Sequence, residues 1–178
     1  MRKRATLENL YKQYARPLYF YLLKLSGSEQ LAEDLTQETF VRATIALHTY
    51  EGEEARAWLF KVARNAFFDE WRKRQRRKTV PLLSFLGGSS TEMLSPYGLP
   101  ENELLEKEAA EEIADLLAFL PENYRSVLYL REYEGFSYRE IMDTLQLTES
   151  QVKVTLHRAR QRLRQLAEKK GWDYDRVE

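Results

Sequence analysis

The sequence of 178 residues contains no cysteine, which excludes disulfides, thiolate metal sites and cysteine nucleophiles. Its two histidines, His48 and His157, lie in different predicted domains, and no glycine-rich phosphate loop is present. The early apolar run Leu18–Leu25 is interrupted by Lys24 and is too short to span a bilayer. No signal-peptide core follows the basic first residues. These absences predict a cytoplasmic protein with no catalytic site, no metal, no cofactor and no small-molecule substrate.

The formal net charge is zero, which by itself argues against a nucleic-acid partner. The distribution of charge reverses that argument. Six of the seven residues from Arg72 to Lys78 are basic, and Thr148–Lys170 carries seven basic residues against two acidic ones. Between these segments, Thr79–Leu117 carries eight acidic residues and one basic residue. Because the zero is a cancellation between segments, the two basic segments are the informative feature.

The first half of the chain shows three amphipathic helical patterns and no strand pattern. The patterns predict helices over residues 6–25, 28–47 and 54–75. Pro17 should kink or split the first helix, since proline lacks the N–H that an interior turn requires. Ser28 is a plausible N-cap for the second helix.

Residues 78–102 are rich in proline, glycine, serine and threonine, a composition typical of a linker. The sequence therefore predicts an all-α fold of two small helical domains joined by a flexible linker. The first domain covers residues 1–77 and the second covers residues 103–170. Residues 171–178 form a C-terminal tail.

Four helices are predicted in the second half. An acidic helix spans Glu103–Leu120, and the next begins at Pro121 and runs to about Tyr133. Two capping boxes follow, Ser137 with Glu140 and Thr148 with Gln151. They open helices that end near Leu145 and Lys169.

The last two helices are joined by a three-residue turn, which is the length found in a helix-turn-helix. In that motif the first turns of the second helix enter the major groove of duplex DNA. An ordinary helical hairpin with a solvated basic face is the alternative explanation. Val152, Leu156 and Ala159 should pack inward, which leaves for the groove Gln151, Lys153, Val154, His157, Arg158 and Arg160.

The third predicted helix carries aromatic residues nearly all round, interleaved with basic residues, and runs into the basic segment that begins at Arg72. Such a helix suits unstacked bases beside a phosphate backbone. A fully buried central helix is the alternative for any single aromatic residue.

The second predicted helix places Asp34, Gln37, Glu38 and Val41 on one face at three- and four-residue spacing. This face, next to Phe40, could dock a partner helix. Taken alone, it is more often a solvated face.

These features, in this order, resemble the extracytoplasmic-function (ECF) group of the sigma-70 family of bacterial transcription initiation factors. The resemblance covers about residues 5–168. AEDLTQETFVRA resembles the segment that docks on core RNA polymerase, and ARAWLFKVARNAFFDEWRKRQRR resembles the segment that melts and recognises the −10 element. The sequence from Leu120 to Gln165 resembles the −35-binding domain, with its closing HRARQRLR especially typical.

The resemblance implies functional residues at matching positions of this chain. Polymerase binding falls on Asp34, Leu35, Gln37, Glu38, Phe40 and Val41. The pocket for a flipped −10 base falls on Ala46, Tyr50, Trp58, Phe60, Val62 and Asn65, with backbone contacts from Arg72, Lys73, Arg74 and Arg76. Contacts to the −35 element fall on Gln151, Lys153, Val154, His157, Arg158 and Arg160, with Arg125 and Arg139 nearer the DNA backbone.

The family resemblance implies three partners: core RNA polymerase, promoter DNA and an anti-sigma factor, which is often membrane-anchored. The implied function is that of an alternative sigma factor, without enzymatic activity. A stand-alone helix-turn-helix repressor or activator is the competing hypothesis. It explains residues 121–168 but leaves the aromatic helix and the Asp34 face unexplained. A nucleic-acid enzyme is a third hypothesis, which no metal or nucleophile motif supports.

Overall fold

The computed structural model describes residues 7–46, 55–77 and 116–171. The chain divides into two compact units, Met1–Leu99 and Pro100–Glu178. The described part of each unit is built from helices, which confirms the all-α, two-domain prediction. The predicted linker over residues 78–102 lies outside the described residues.

The first unit contains three helices, α1 (Leu7–Ser26), α2 (Glu29–Ala46) and α3 (Ala55–Arg76). Their bounds agree with the predicted bounds to within one residue. All three pairs of helices are in contact, so each helix buries one face against the other two. The largest fully buried side chains of this unit are Tyr21 and Phe60, whose ring centroids are 5.2 Å apart.

Helix α1 continues through Pro17, so of the two predicted outcomes the proline does not split the helix, and a kink stays a prediction. Ala15, Leu18 and Leu22 on either side of the proline are buried. Their burial against α2 and α3 outweighs the single hydrogen bond that proline removes from the helix.

The turn between α1 and α2 is determined locally. Gly27 has a φ of 65°, a conformation that favours glycine, and its N–H donates to the Leu23 carbonyl at 2.8 Å. The Ser28 hydroxyl accepts from the Leu31 N–H at 3.3 Å, which confirms Ser28 as the N-cap of α2.

The second unit contains α4 (Glu122–Leu128), which continues as a wider π-helical turn over Tyr129–Tyr133, and then α5 (Tyr138–Leu145) and α6 (Glu149–Lys169). Helix α4 packs against α6. Both predicted capping boxes are present, and the sequence did not predict the π-helical turn.

The connection between α5 and α6 is the predicted three-residue turn. Gln146 takes a left-handed conformation with a φ of 55° and ends α5. The stripe formed by Val152, Leu156 and Ala159 is buried, as predicted. None of the helices in the described ranges combines the length and apolarity that crossing a bilayer requires.

Candidate nucleic-acid interface

The polymerase-docking face predicted on α2 is only partly exposed. Asp34, Gln37, Glu38 and Val41 all lie at the surface, and we call these four residues the docking stripe. Because helical residues repeat every 3.6 positions, they fall within about 60° of Asp34 around the helix. The sequence prediction missed Ile45, which extends the stripe by one turn and is 75% exposed. The spacing of four residues from Val41 could have identified it.

Leu35 and Phe40 correct the predicted contact set, because both side chains are buried. They point about 100° and 120° away from Asp34 around α2. Phe40 packs edge-on against Tyr11 of α1, with ring centroids 4.8 Å apart. These two residues therefore support the docking stripe from inside the unit, and their contact with polymerase stays a prediction.

Helix α3 presents a second exposed face. Trp58 and Val62 are half-buried on it and Asn65 is exposed, and the same line continues through Arg72 and Arg76. All five point within about 40° of one direction. We call them the α3 stripe. An aromatic ring, an amide and two cations in line match what single-stranded DNA requires for stacking, base contacts and phosphate contacts.

Phe60 is a second correction. It was predicted in the −10 pocket, but its side chain is fully buried beside Tyr21. It points about 160° away from Trp58 around α3, toward the core rather than the solvent. Among the other pocket residues, Ala46 is half-buried at the end of α2, and Tyr50 lies outside the described residues.

The basic end of α3 is exposed at Arg72, Lys73 and Arg76, while Arg74 is half-buried. Arg74 donates from Nε to the Glu70 carboxylate at 2.8 Å. A groove of about 260 Å³ separates this end from the docking stripe, with Asp34 and Glu38 on one wall and Lys73 and Arg74 on the other.

In the second unit, the groove-facing residues predicted on α6 are all at the surface: Gln151, Lys153, Val154, His157, Arg158 and Arg160. Arg139 of α5 is also exposed. Together they form a basic surface around the first turns of α6, a geometry that matches a recognition helix.

Three of these side chains have partners within the chain. The Gln151 Oε1 accepts from the Thr148 N–H at 2.8 Å, so half of its amide completes the capping box. Lys153 pairs with Glu149, and this hydrogen bond and the attraction of the two charges lower the pKa of Glu149 and raise that of Lys153. Arg160 pairs with Glu132 of the π-helical turn.

Arg125 is the third correction. It was predicted near the DNA backbone, but it is buried and its guanidinium donates to three backbone carbonyls. The acceptors are Leu117 at 3.0 Å, Ala118 at 3.1 Å and Leu120 at 3.0 Å. Burial lowers the pKa of Arg125. This residue satisfies the carbonyls at the end of the preceding helical turn, and it does not face DNA.

Besides Ile45, the sequence prediction missed a contact between residues that are distant in sequence. Arg42 joins α2 to α3 by donating to Asp69 at 2.7 Å, a pairing across 27 residues. Within the described ranges, no three His, Asp or Glu side chains come together as metal ligands.

Comparison with known proteins gives matches over both units. The family described as Sigma-70 region 2 matches residues 10–77, and the family described as Sigma-70, region 4 matches residues 110–163. The ECF RNA polymerase sigma factor SigM of Bacillus subtilis is 37% identical over 161 residues, which cover 90% of this chain and 94% of that protein. SigL of Mycobacterium tuberculosis is 35% identical over 162 residues, covering 90% of this chain and 88% of that protein.

Two solved structures have similar folds. One is the sigma factor RpoE in complex with the anti-sigma factor NepR from Bartonella quintana, with a TM-score of 0.71, 25% identity, and coverage of 90% of this chain and 96% of that chain. The other is CnrH in complex with the cytosolic domain of CnrY, with a TM-score of 0.65 and 23% identity. It covers 91% of this chain and 87% of that chain, and at that identity it shows the fold alone.

Proposed function

This chain belongs to the ECF group of the sigma-70 family, and we propose that it acts as an alternative sigma factor through the exposed surfaces described above. It binds core RNA polymerase and directs it to specific promoters. The first unit docks on polymerase and holds the melted −10 strand. The second unit binds the −35 element as duplex DNA.

The observation that carries the proposal is the pair of exposed stripes on the first unit. A stand-alone repressor needs a helix-turn-helix and a sensing or dimerising module, and it leaves both stripes without a purpose. A sigma factor needs both: the docking stripe for polymerase, and the α3 stripe, which runs from Trp58 to Arg76, for the melted strand. The repressor hypothesis is therefore not favoured.

Holding the −10 strand requires a base to leave the duplex, which costs a few kcal/mol. Stacking on an aromatic ring returns roughly 1–3 kcal/mol per base. We assign this stacking to Trp58, base contacts to Asn65 and phosphate contacts to Arg72, Lys73, Arg74 and Arg76. Tyr50 and Ala46 stay predicted members of the same pocket.

For the −35 element, we assign direct base contacts to Arg158, because a guanidinium pairs bidentately with guanine in the major groove. Val154 is 47% exposed and has no side-chain donor, so a thymine methyl group is its natural contact. Lys153, Arg160 and Arg139 are assigned to phosphates or neighbouring bases. Gln151 and His157 complete the predicted surface.

We also propose an anti-sigma partner, since a related sigma factor of similar fold was solved in complex with one. Whether that partner is membrane-anchored stays a prediction. The proposed role is that of a DNA-recognition subunit, which requires no catalytic group, cofactor or small-molecule substrate in this chain. A chain that acts on promoters has to be where the chromosome is, so we propose a cytoplasmic location.

Gel filtration with core polymerase tests the function. The full chain should co-elute with core polymerase, and replacing Asp34, Gln37 and Glu38 together by alanine should abolish co-elution with helical content unchanged. A matched control replaces Asp143, Gln165 and Glu168, which are exposed residues of the second unit with the same charge and amide composition. Co-elution of the docking-stripe variant, or failure of the unmodified chain to co-elute with core polymerase, would contradict the proposal.

A further inference from the structure

A row of charged hydrogen bonds crosses from the docking stripe to the α3 stripe. The Glu38 Oε1 accepts from the Arg42 Nε at 2.8 Å, and a second nitrogen of Arg42 donates to the Asp69 carboxylate at 2.7 Å. The other oxygen of Asp69 accepts from Arg72 at 3.3 Å. Glu38 belongs to the docking stripe and Arg72 to the α3 stripe, so four side chains connect the two stripes. We call them the charged row.

Asp69 lies in an unexpected place. It points in the same direction as the α3 stripe, between Asn65 and Arg72, where the proposed function puts DNA phosphates. A carboxylate there repels phosphate and neutralises a neighbouring cation. Its side chain is 39% exposed, so it is not held in place by burial. Its carboxylate is instead held by hydrogen bonds from Arg42 and Arg72.

Arg42 is the centre of the charged row. Its side chain is 33% exposed, and its guanidinium donates to carboxylates of two helices, Glu38 on α2 and Asp69 on α3. The hydrogen bonds to Glu38 and then to Asp69 raise its pKa. The two carboxylates accept from different nitrogens of Arg42, and the negative charge of Glu38 offsets part of the attraction between Arg42 and Asp69. A change at Glu38 therefore alters how strongly Arg42 holds Asp69.

A nearby ion pair offers a contrast. Arg74 pairs with Glu70 one turn earlier in the same helix. That ion pair is formed by two residues of α3, four positions apart. The charged row differs because it joins two helices and ends on a surface residue at each side.

We propose that Arg42 and Asp69 are positioning residues that couple polymerase docking to DNA binding within the first unit. When a cation of the polymerase engages Glu38, Arg42 turns more fully to Asp69. Asp69 then holds Arg72 less strongly, and Arg72 becomes available to a phosphate. By linkage, DNA bound at Arg72 strengthens docking at Glu38 by the same factor. The inference rests on the proposed function for the identity of the two partners.

The coupling is testable in the full-length free chain, without polymerase. Glu38→Gln imitates the engaged state because it removes the competing charge. Binding of a labelled mixed-sequence single-stranded oligonucleotide at low salt should become about two- to five-fold tighter, the range expected for exposed ion pairs. Asp34→Asn is the matched control, since it removes the same charge from the same stripe but lies outside the charged row.

The gain from Glu38→Gln should vanish in an Asp69→Asn background and in an Arg72→Ala background. In a Glu70→Gln background it should persist, because Glu70 is not part of the charged row. If Glu38→Gln and Asp34→Asn have equal effects, or if the gain survives Asp69→Asn, the coupling is wrong.

Side-chain NMR of the arginine Nε–H groups gives a second readout that a merely structural role would not move. The Arg72 signal should shift in Glu38→Gln, although the two residues belong to different helices, and should stay unchanged in Asp34→Asn. An unmoved Arg72 signal in both variants overturns the proposal. Failure of the proposed function has a different signature, because then Glu38→Gln leaves affinity for core polymerase unchanged whatever its effect on the oligonucleotide.

Discussion

Arg42 in the first unit lies at the surface and joins two helices through carboxylates, whereas Arg125 in the second unit is buried and donates to backbone carbonyls. When an exposed ion pair is broken, water replaces the lost partner, so such a pair typically contributes only about 0.2–1 kcal/mol to the free energy of unfolding. At a buried site water does not replace the guanidinium, so its loss leaves carbonyls without donors. The same residue type thus has a proposed functional role at one site and a structural role at the other.

The units also differ in how their helices begin. In the second unit, Ser137 and Thr148 each begin a complete capping box. The hydroxyl accepts from the backbone N–H three residues later, and the side chain at that later position accepts from the N–H of the capping residue. In the first unit, the capping contact at the start of α2 is the single hydroxyl of Ser28. Local hydrogen bonds therefore define the helix-turn-helix, while packing between three helices defines the first unit.

The largest effect on stability is expected from Arg125→Ala. Three carbonyls lose a charged donor in a buried site, so the free energy of unfolding of the second unit should fall by about 2–4 kcal/mol. Denaturant unfolding followed by circular dichroism measures it, with the exposed Arg139→Ala as control, expected within about 0.5 kcal/mol of the parent chain. Equal losses in the two variants would remove the contrast between buried and exposed arginines.

Arg158→Ala should leave folding intact and change recognition. Because a bidentate contact to guanine is lost, binding should weaken by roughly 1–3 kcal/mol at one promoter position and selectivity there should relax. Binding of the full chain to a library of −35 duplexes measures the effect. Arg162→Ala is the control, since Arg162 is exposed one turn farther along α6. Uniform weakening of every sequence by Arg158→Ala would make it a phosphate contact.

Thr148→Ala should destabilise the second unit by about 1 kcal/mol, because the hydroxyl that accepts from the Gln151 N–H is lost. Thr148→Ser keeps that acceptor and should be close to neutral. Thermal unfolding of both variants distinguishes them. If alanine and serine behave alike, the capping box contributes nothing measurable to this unit.

The smallest effect on stability is expected from Asp69→Asn. The Arg42–Asp69 pair is partly exposed, and the aromatic core around Tyr21 and Phe60 remains, so unfolding of the first unit should change by less than about 1 kcal/mol. Denaturant unfolding measures it. A loss as large as that of Arg125→Ala would show that the charged row is needed for the stability of the first unit. The arginine contacts of the two units would then contribute similar amounts to the free energy of unfolding.

Much of the fold was predictable because its signals are local. The bounds of α1, α2 and α3, the N-cap at Ser28 and both capping boxes depend on residues three or four positions apart. The buried stripe of α6 follows from the same periodicity. Pro17 does not split α1, because packing on both sides of the proline outweighs its local preference.

The candidate site was predicted less evenly. The exposed positions of the docking stripe and of α6 follow from helical spacing, and so would Ile45. Spacing alone does not say which way an aromatic residue on an all-round apolar helix points, so Trp58 and Phe60 received the same prediction although they face opposite ways. The burial of Leu35 and Phe40 was not predicted for a related reason, because a motif match carries no information on burial.

By itself the sequence determined the described helices, the N-cap at Ser28, both capping boxes, the family and the basic segments that are proposed to face DNA, since these depend on neighbouring residues and on composition. The tertiary structure alone decided which side chains are buried in the core and which stay exposed at the surface. It buried Arg125 among carbonyls, turned Phe60 inward and brought Arg42 to Asp69 across 27 residues. Each of these depends on a surface contributed by a distant part of the chain, and such a surface exists only after the helices have packed.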